Sequence, residues 1–210
     1  MIKISCLGDS IRGQYAPVVR ERLGNAFEMF TPTENCRYSK YTLRGLYDWK
    51  EDMRGSRIVH WNCGLWDICD LFGDGPFASV EEYVANTLRT ADILLARHEI
   101  VIFATTTPVD PFNVHEKNED IERYNATIVP ELIKKGVRIN DLYTLVAADI
   151  PRYIRNDHIH LSEDGIALCA TAVEKAIREA AADLSSANVS DQDASQVSDL
   201  GAPIIWDGTH

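Results

Sequence analysis

Short apolar runs rich in β-branched residues alternate with segments of helical periodicity about five times along this chain, and few folds accept that order. Ile2-Lys3-Ile4-Ser5-Cys6-Leu7 alternates as a strand does, and Ile100-Val101-Ile102-Phe103-Ala104-Thr105 reads as a strand buried on both faces. Residues 56–62 read as a further strand, with weaker ones at 28–30 and 137–141. Helical spacing marks residues 14–24, 79–97, 117–134 and 163–184, and shorter helices fit around Leu43–Trp49 and at 142–149. This alternation predicts an α/β protein: a three-layer α/β/α sandwich around a central parallel sheet of about five strands. Ligands of such sheets sit at the carboxyl ends of the strands. The loops at Gly8-Asp9-Ser10, Asn62-Cys63-Gly64 and Thr106-Thr107-Pro108 each follow a predicted strand, so all three are expected on one edge.

At 210 residues the chain suits one domain, assigned here to residues 1–184. From Ser185 the composition shifts to Ser, Asn, Asp, Gln and Ala, with Asp191, Asp193 and Asp199 uncompensated by any Lys or Arg. Residues 185–210 therefore read as an acidic, flexible tail. Its apolar end, Pro203-Ile204-Ile205-Trp206, is expected to dock on the domain or on a second copy, a route to a homo-oligomer. The 21 Lys and Arg against 32 Asp and Glu give a formal charge of −11, which repels phosphate backbones and anionic lipid and excludes nucleic-acid and membrane-surface roles. No apolar run approaches the roughly 20 residues that span a bilayer. The N-terminus does not read as a signal peptide, so a cytoplasmic location is expected. The five cysteines match no zinc spacing and read as reduced thiols; no metal or cofactor is predicted.

Two short segments carry chemistry when taken together. Ser10 follows a strand through Gly8-Asp9 and precedes a helix, where free backbone N–H groups can hold a developing oxyanion. By itself Gly-Asp-Ser also suits a plain helix cap. Asp157-His158-Ile159-His160-Leu161 supplies what a serine nucleophile lacks: an imidazole base and a carboxylate to orient it. The spacing Asp-x-x-His selects His160, with His158 pointing elsewhere. Ser10 and Asp157/His160 can meet only if the fold brings both ends of the chain to one edge.

These blocks resemble the SGNH (GDSL-type) hydrolases. Asn62-Cys63-Gly64-Leu65-Trp66-Asp67 sits where that family carries a Gly-x-Asn-Asp block, and Thr106-Thr107-Pro108, Tyr124-Asn125 and Ile139-Asn140-Asp141-Leu142 follow in family order. The resemblance covers roughly residues 2–180 and implies an α/β/α sandwich that hydrolyses esters through an acyl-serine. Ser10 would be the nucleophile, His160 the general base and then acid, and Asp157 its orienter. The family's oxyanion hole uses the serine N–H, a glycine N–H from a second block and an asparagine side chain from the third. Here Trp66 stands in the asparagine place, so Asn62 is expected to take that role by a shift of the loop. In the second block, Asn35 to Thr42, Lys40 falls where glycine is usual; its N–H, or that of Gly45, is the expected third donor.

Arg12, Arg37, Trp61 and Trp66 lie in or beside these loops and suit sugar rings or a carboxylated substrate. The expected substrate is a small-molecule ester, an acetyl group on a carbohydrate or similar polar alcohol. The same triad could run a thioesterase or an acyltransferase. A flavodoxin-like, non-catalytic binding or scaffolding domain is the reading of another class, and it makes no use of Asp157 and His160.

Overall fold

The structure is a computed structural model and describes residues 1–190. The expected tail falls on residues 191–210, outside the described residues, apart from its first six positions.

Five strands form one sheet in the order β2-β1-β3-β4-β5: β1 (Ile2–Leu7), β2 (Phe27–Phe30), β3 (Ile58–Trp61), β4 (Ile100–Ala104) and β5 (Arg138–Asn140). Every neighbouring pair is parallel. All residues of β3 and β4 are buried, as expected of strands covered on both faces, and the one polar side chain among them, His60, has its Nε2 3.2 Å from Asn140 Nδ2. Helices α1 (Ser10–Leu23) and α8 (Glu163–Ser190) pack on each other, and α4 (Val80–Leu95) packs on both α2 (Ser39–Asp48) and α5 (Asn118–Lys134), which gives the three layers. The short helices α3 (Leu65–Ile68), α6 (Leu142–Ala147) and α7 (Ile150–Tyr153) complete the chain.

Several helices differ from the sequence reading, and α2 begins at Ser39, four residues before the expected Leu43. Helix α1 begins at Ser10 and not at residue 14, because the Asp9 carboxylate accepts from Ile11 N–H (3.0 Å) and starts the helix at once. Helices α3 and α7 span only four residues each, too few to show a period. Helix α8 runs on to Ser190, six residues past the predicted end. No described helix is long and apolar enough to cross a membrane.

The chain leaves β1 toward β2 on one side and later returns to β3 on the other. The carboxyl ends of β1 and β3 therefore flank a topological switch point, where loops diverge and leave a crevice. Gly8-Asp9-Ser10 and Asn62 emerge on its two sides.

Candidate active site

Ser10 is the first residue of α1, so its N–H can find no partner within the helix, and none of the described residues accepts from it. The turn before it requires glycine. Gly8 has φ +152°, and a Cβ there would collide with Asn62 Oδ1 and with the stem of Arg12. Cys36 holds Gly8 from both directions: its N–H donates to Gly8 O (3.0 Å) and its Sγ accepts from Gly8 N–H (3.2 Å).

The segment Ile154–Leu161 closes on itself as a tight loop through an antiparallel bridge between those two residues. It carries His160 to the nucleophile. His160 Nε2 lies 2.9 Å from Ser10 Oγ, and His160 Nδ1 lies 2.9 Å from Asp157 Oδ2. The carboxylate fixes the tautomer: Nδ1–H donates to Asp157, and Nε2 is left to accept from the serine hydroxyl. Partial burial works to raise the Asp157 pKa, but hydrogen bonds from His160 N–H, Arg155, the His160 ring and Ile159 N–H outweigh it and hold the carboxyl well below the usual range. Arg155 Nε donates to Asp157 Oδ2 at 2.6 Å.

His158 turns away from Ser10. It sits at φ +67°, and its Nδ1 lies 3.2 Å from Asp110 Oδ1. Gln14, four residues after Ser10 on α1, joins the helix to the His160 loop with two bonds: its amide donates to Leu161 O (3.1 Å) and accepts from Leu161 N–H (3.0 Å). Nothing in the sequence marks Gln14 for this task, since its partner lies 147 residues away.

Asn62 follows β3 directly and is buried. Its Nδ2 donates to Asp9 Oδ1 at 2.9 Å, and its Oδ1 lies 3.5 Å from the Tyr15 hydroxyl. An amide nitrogen has two N–H groups, so one remains beyond the bond to Asp9. Burial pushes the Asp9 pKa up, with the Asn62 amide and Ile11 N–H pulling in the other direction.

Two expected site residues belong instead to the scaffold. Arg12 is buried, and its guanidinium donates to the carbonyls of Gly8 (3.0 and 3.3 Å), Pro32 (3.1 Å) and Glu34 (2.8 Å). It clamps the loop after β2 to the nucleophile turn. Trp61 is fully buried against Phe103, with ring centroids 4.8 Å apart. It faces the core because it is the last residue of a strand covered on both sides.

Gly45 is also corrected as an oxyanion donor. It lies inside α2, where its N–H is committed to the helix ladder, and it is glycine because the Trp49 ring occupies the space a Cβ would take. Lys40 is exposed in the first turn of α2, where an N–H has no partner within the helix. Trp66 and Arg37 are exposed; the Arg37 guanidinium lies over the Tyr41 ring, 5.0 Å from its centroid.

Asp67 was not expected at the site. It is buried in α3, and its carboxylate accepts from Ser39 N–H (2.9 and 3.1 Å) and Ser39 Oγ (2.5 Å), capping α2 from the short helix that follows Asn62. Burial pushes its pKa up to about 7 against these bonds. Asn125 explains the weaker sequence echoes: its amide accepts from Thr106 N–H (3.0 Å) and donates to Thr106 O (2.9 Å), while Thr106 Oγ1 donates to Cys63 O (2.9 Å).

A cavity of about 460 Å³ is lined by Leu46, Lys50, Met53, Arg54, Ile93 and His98, beside the segment that leads into β3. It contains none of Ser10, Asp157 or His160 and has no part in their chemistry. Among the described residues, no group of three or more His, Cys, Asp or Glu side chains is arranged to hold a metal ion.

No protein-family model matches the chain, and no curated protein matches it in sequence. Solved structures do. A GDSL-like lipase from Bacteroides thetaiotaomicron matches with a TM-score of 0.65 at 16% identity, over 85% of this chain and 88% of that one. A carbohydrate esterase family 3 protein from Talaromyces cellulolyticus matches with a TM-score of 0.69 at 16% identity, over 87% and 99%. An acetyl xylan esterase matches with a TM-score of 0.66 at 19% identity, over 84% and 100%. With its five parallel strands and helices on both faces, the chain has the SGNH (GDSL-type) hydrolase fold.

Proposed function

We propose that this chain is a serine esterase that removes a short acyl group, acetyl above all, from a carbohydrate or similar polar alcohol through an acyl-serine. The observation that carries the reading is the unbroken hydrogen-bond chain from Ser10 Oγ through His160 to Asp157. Ser10 Oγ attacks the ester carbonyl carbon while His160 Nε2 takes the hydroxyl proton. The imidazolium is stabilised by Asp157. Nε2–H then protonates the leaving alkoxide, the C–O bond breaks, and the acyl group stays on Ser10. Water repeats the sequence: its proton goes to Nε2, its oxygen to the acyl carbon, and the proton returns to Oγ as the acid leaves.

The tetrahedral oxyanion is assigned to Ser10 N–H, to the second N–H of Asn62 Nδ2, and to Lys40 N–H in the first turn of α2. Asn62→Ala is expected to lower kcat by about 10²–10³-fold with little change in KM, because the oxyanion exists only beyond the ground state. Steady-state kinetics on p-nitrophenyl acetate checks this, and an unchanged kcat would assign the oxyanion to other donors.

The acetyl preference draws support from the named activities of proteins with this fold, an acetyl xylan esterase among them. Turnover of p-nitrophenyl acetate, butyrate and octanoate tests it. The acetate is expected to react fastest, and faster turnover of octanoate would overturn the preference.

A further inference from the structure

An amide side chain has two ends, and only one of them can serve an oxyanion. Nδ2 of Asn62 carries N–H donors, while Oδ1 carries lone pairs alone. A half-turn about the last side-chain bond would set an oxygen where a donor is needed and repel the oxyanion. The two ends have nearly the same shape, so packing distinguishes them poorly, and the polar groups around the amide decide its direction.

Asp9 is the group that faces it. Asp9 Oδ1 lies 2.9 Å from Asn62 Nδ2. That oxygen accepts whether or not Oδ2 carries a proton, so the nitrogen end must be the one turned toward it. The reversed amide would press Oδ1 of Asn62 against Oδ1 of Asp9. Asp9 Oδ1 also accepts from Ile11 N–H at 3.0 Å, which locks the carboxyl group to the start of α1. One oxygen thus joins the two strand ends that supply Ser10 N–H and the Asn62 amide.

Capping by itself does not call for an aspartate at this position. Serine and asparagine cap helices as well, and neither buries an ionisable group. Asp9 is buried, and its Oδ2 has no hydrogen-bond partner among the described residues. The neighbouring Arg12 guanidinium turns to the carbonyls of Gly8, Pro32 and Glu34 instead. What the carboxyl group adds to a cap is reach: its Oδ1 meets Asn62 as well as Ile11.

We infer that Asp9 is a positioning residue of the oxyanion hole, whose Oδ1 holds the Asn62 amide with its nitrogen end forward and its second N–H free for the oxyanion. The inference rests on the esterase reading and on the place of Asn62 in it. Asp9 touches no reacting atom and acts through Asn62 alone.

Two substitutions separate this role from capping. Asp9→Ser keeps a capping oxygen but is too short to meet Asn62. Asp9→Asn keeps both contacts, because Ile11 N–H continues to hold an oxygen at the Oδ1 place. On p-nitrophenyl acetate, Asp9→Ser is expected to lower kcat by about 10–10²-fold with KM within a few-fold, and Asp9→Asn to restore kcat to within about threefold of wild type. In an Asn62→Ala background, Asp9→Ser is expected to cost at most about twofold more, since the residue it acts through is already gone. Equal kcat in Asp9→Ser and wild type overturns the inference, as does an Asp9→Asn variant as impaired as Asp9→Ser. So does the same fold-loss from Asp9→Ser with and without Asn62.

A readout without catalysis covers the case in which Asp9→Ser fails to fold, as its Tm would show. In a ¹⁵N–¹H spectrum the Asn62 side-chain amide pair is identified by its loss in Asn62→Ala. Slow solvent exchange of that pair in wild type and in Asp9→Asn is the expected result, and exchange as fast as that of an exposed asparagine overturns the inference. An Asn62→Ala variant with wild-type kcat also overturns it and leaves the esterase reading standing. Wild type that hydrolyses the ester no faster than Ser10→Ala removes both.

Discussion

Ser10→Ala is expected to lower kcat for p-nitrophenyl acetate by on the order of 10⁴–10⁶-fold, with KM changed by a few-fold at most. The magnitude follows from the covalent step. Without Oγ there is no acyl-serine, and water must attack the ester directly with only the oxyanion donors to assist it. Those donors survive the substitution, because Ser10 N–H belongs to the backbone and the start of α1 is fixed by the Asp9 carboxylate on Ile11 N–H. Near-native binding with near-zero chemistry is therefore the signature. It is read from full Michaelis curves on wild type and variant. A variant that keeps a tenth of the wild-type kcat would remove Ser10 from the reaction.

His160→Ala is expected to be as damaging, about 10⁴-fold or more in kcat, while His158→Ala stays within a few-fold of wild type. The two imidazoles stand two residues apart and differ in what they face. His160 spans Ser10 Oγ and Asp157 at 2.9 Å on each side, whereas His158 faces Asp110 across the loop. Parallel measurement of the two variants separates a catalytic imidazole from any general need for an intact loop. A large loss in His158→Ala with activity retained in His160→Ala would reverse the assignment.

What could be read before folding was whatever depends on local pattern. The buried runs of β3 and β4 announce themselves through β-branched content, and Ser10 and His160 through their short blocks. The meeting of those blocks rests on topology, which strand–helix alternation constrains to a few arrangements. What could not be read depends on distant partners. Arg12 looks like a substrate ligand because it stands two residues from a reactive serine; only the convergence of three carbonyls, from Gly8, Pro32 and Glu34, makes it a clamp. Gly45, offered as an oxyanion donor although it falls within a predicted helix, is a helix position kept small for the Trp49 ring. Gln14 carried no signal because its partner, Leu161, lies far along the chain, and Asp67, although it closes a block the sequence reading quoted, bonds a distant Ser39 that no local pattern points to. Four-residue helices such as α3 and α7 lie below the length at which a period shows.

Ser10, His160 and Asp157 tie the first helix to the loop before the last one, and the chemistry proposed for the chain needs that tie to activate a hydroxyl. Stoichiometric labelling by a fluorophosphonate, located by mass spectrometry of the digested protein, tests this most directly. One adduct per chain on the peptide carrying Ser10, absent after His160→Ala, is the predicted result. An intact protein that takes no label at Ser10, or takes it equally well without His160, would contradict the account.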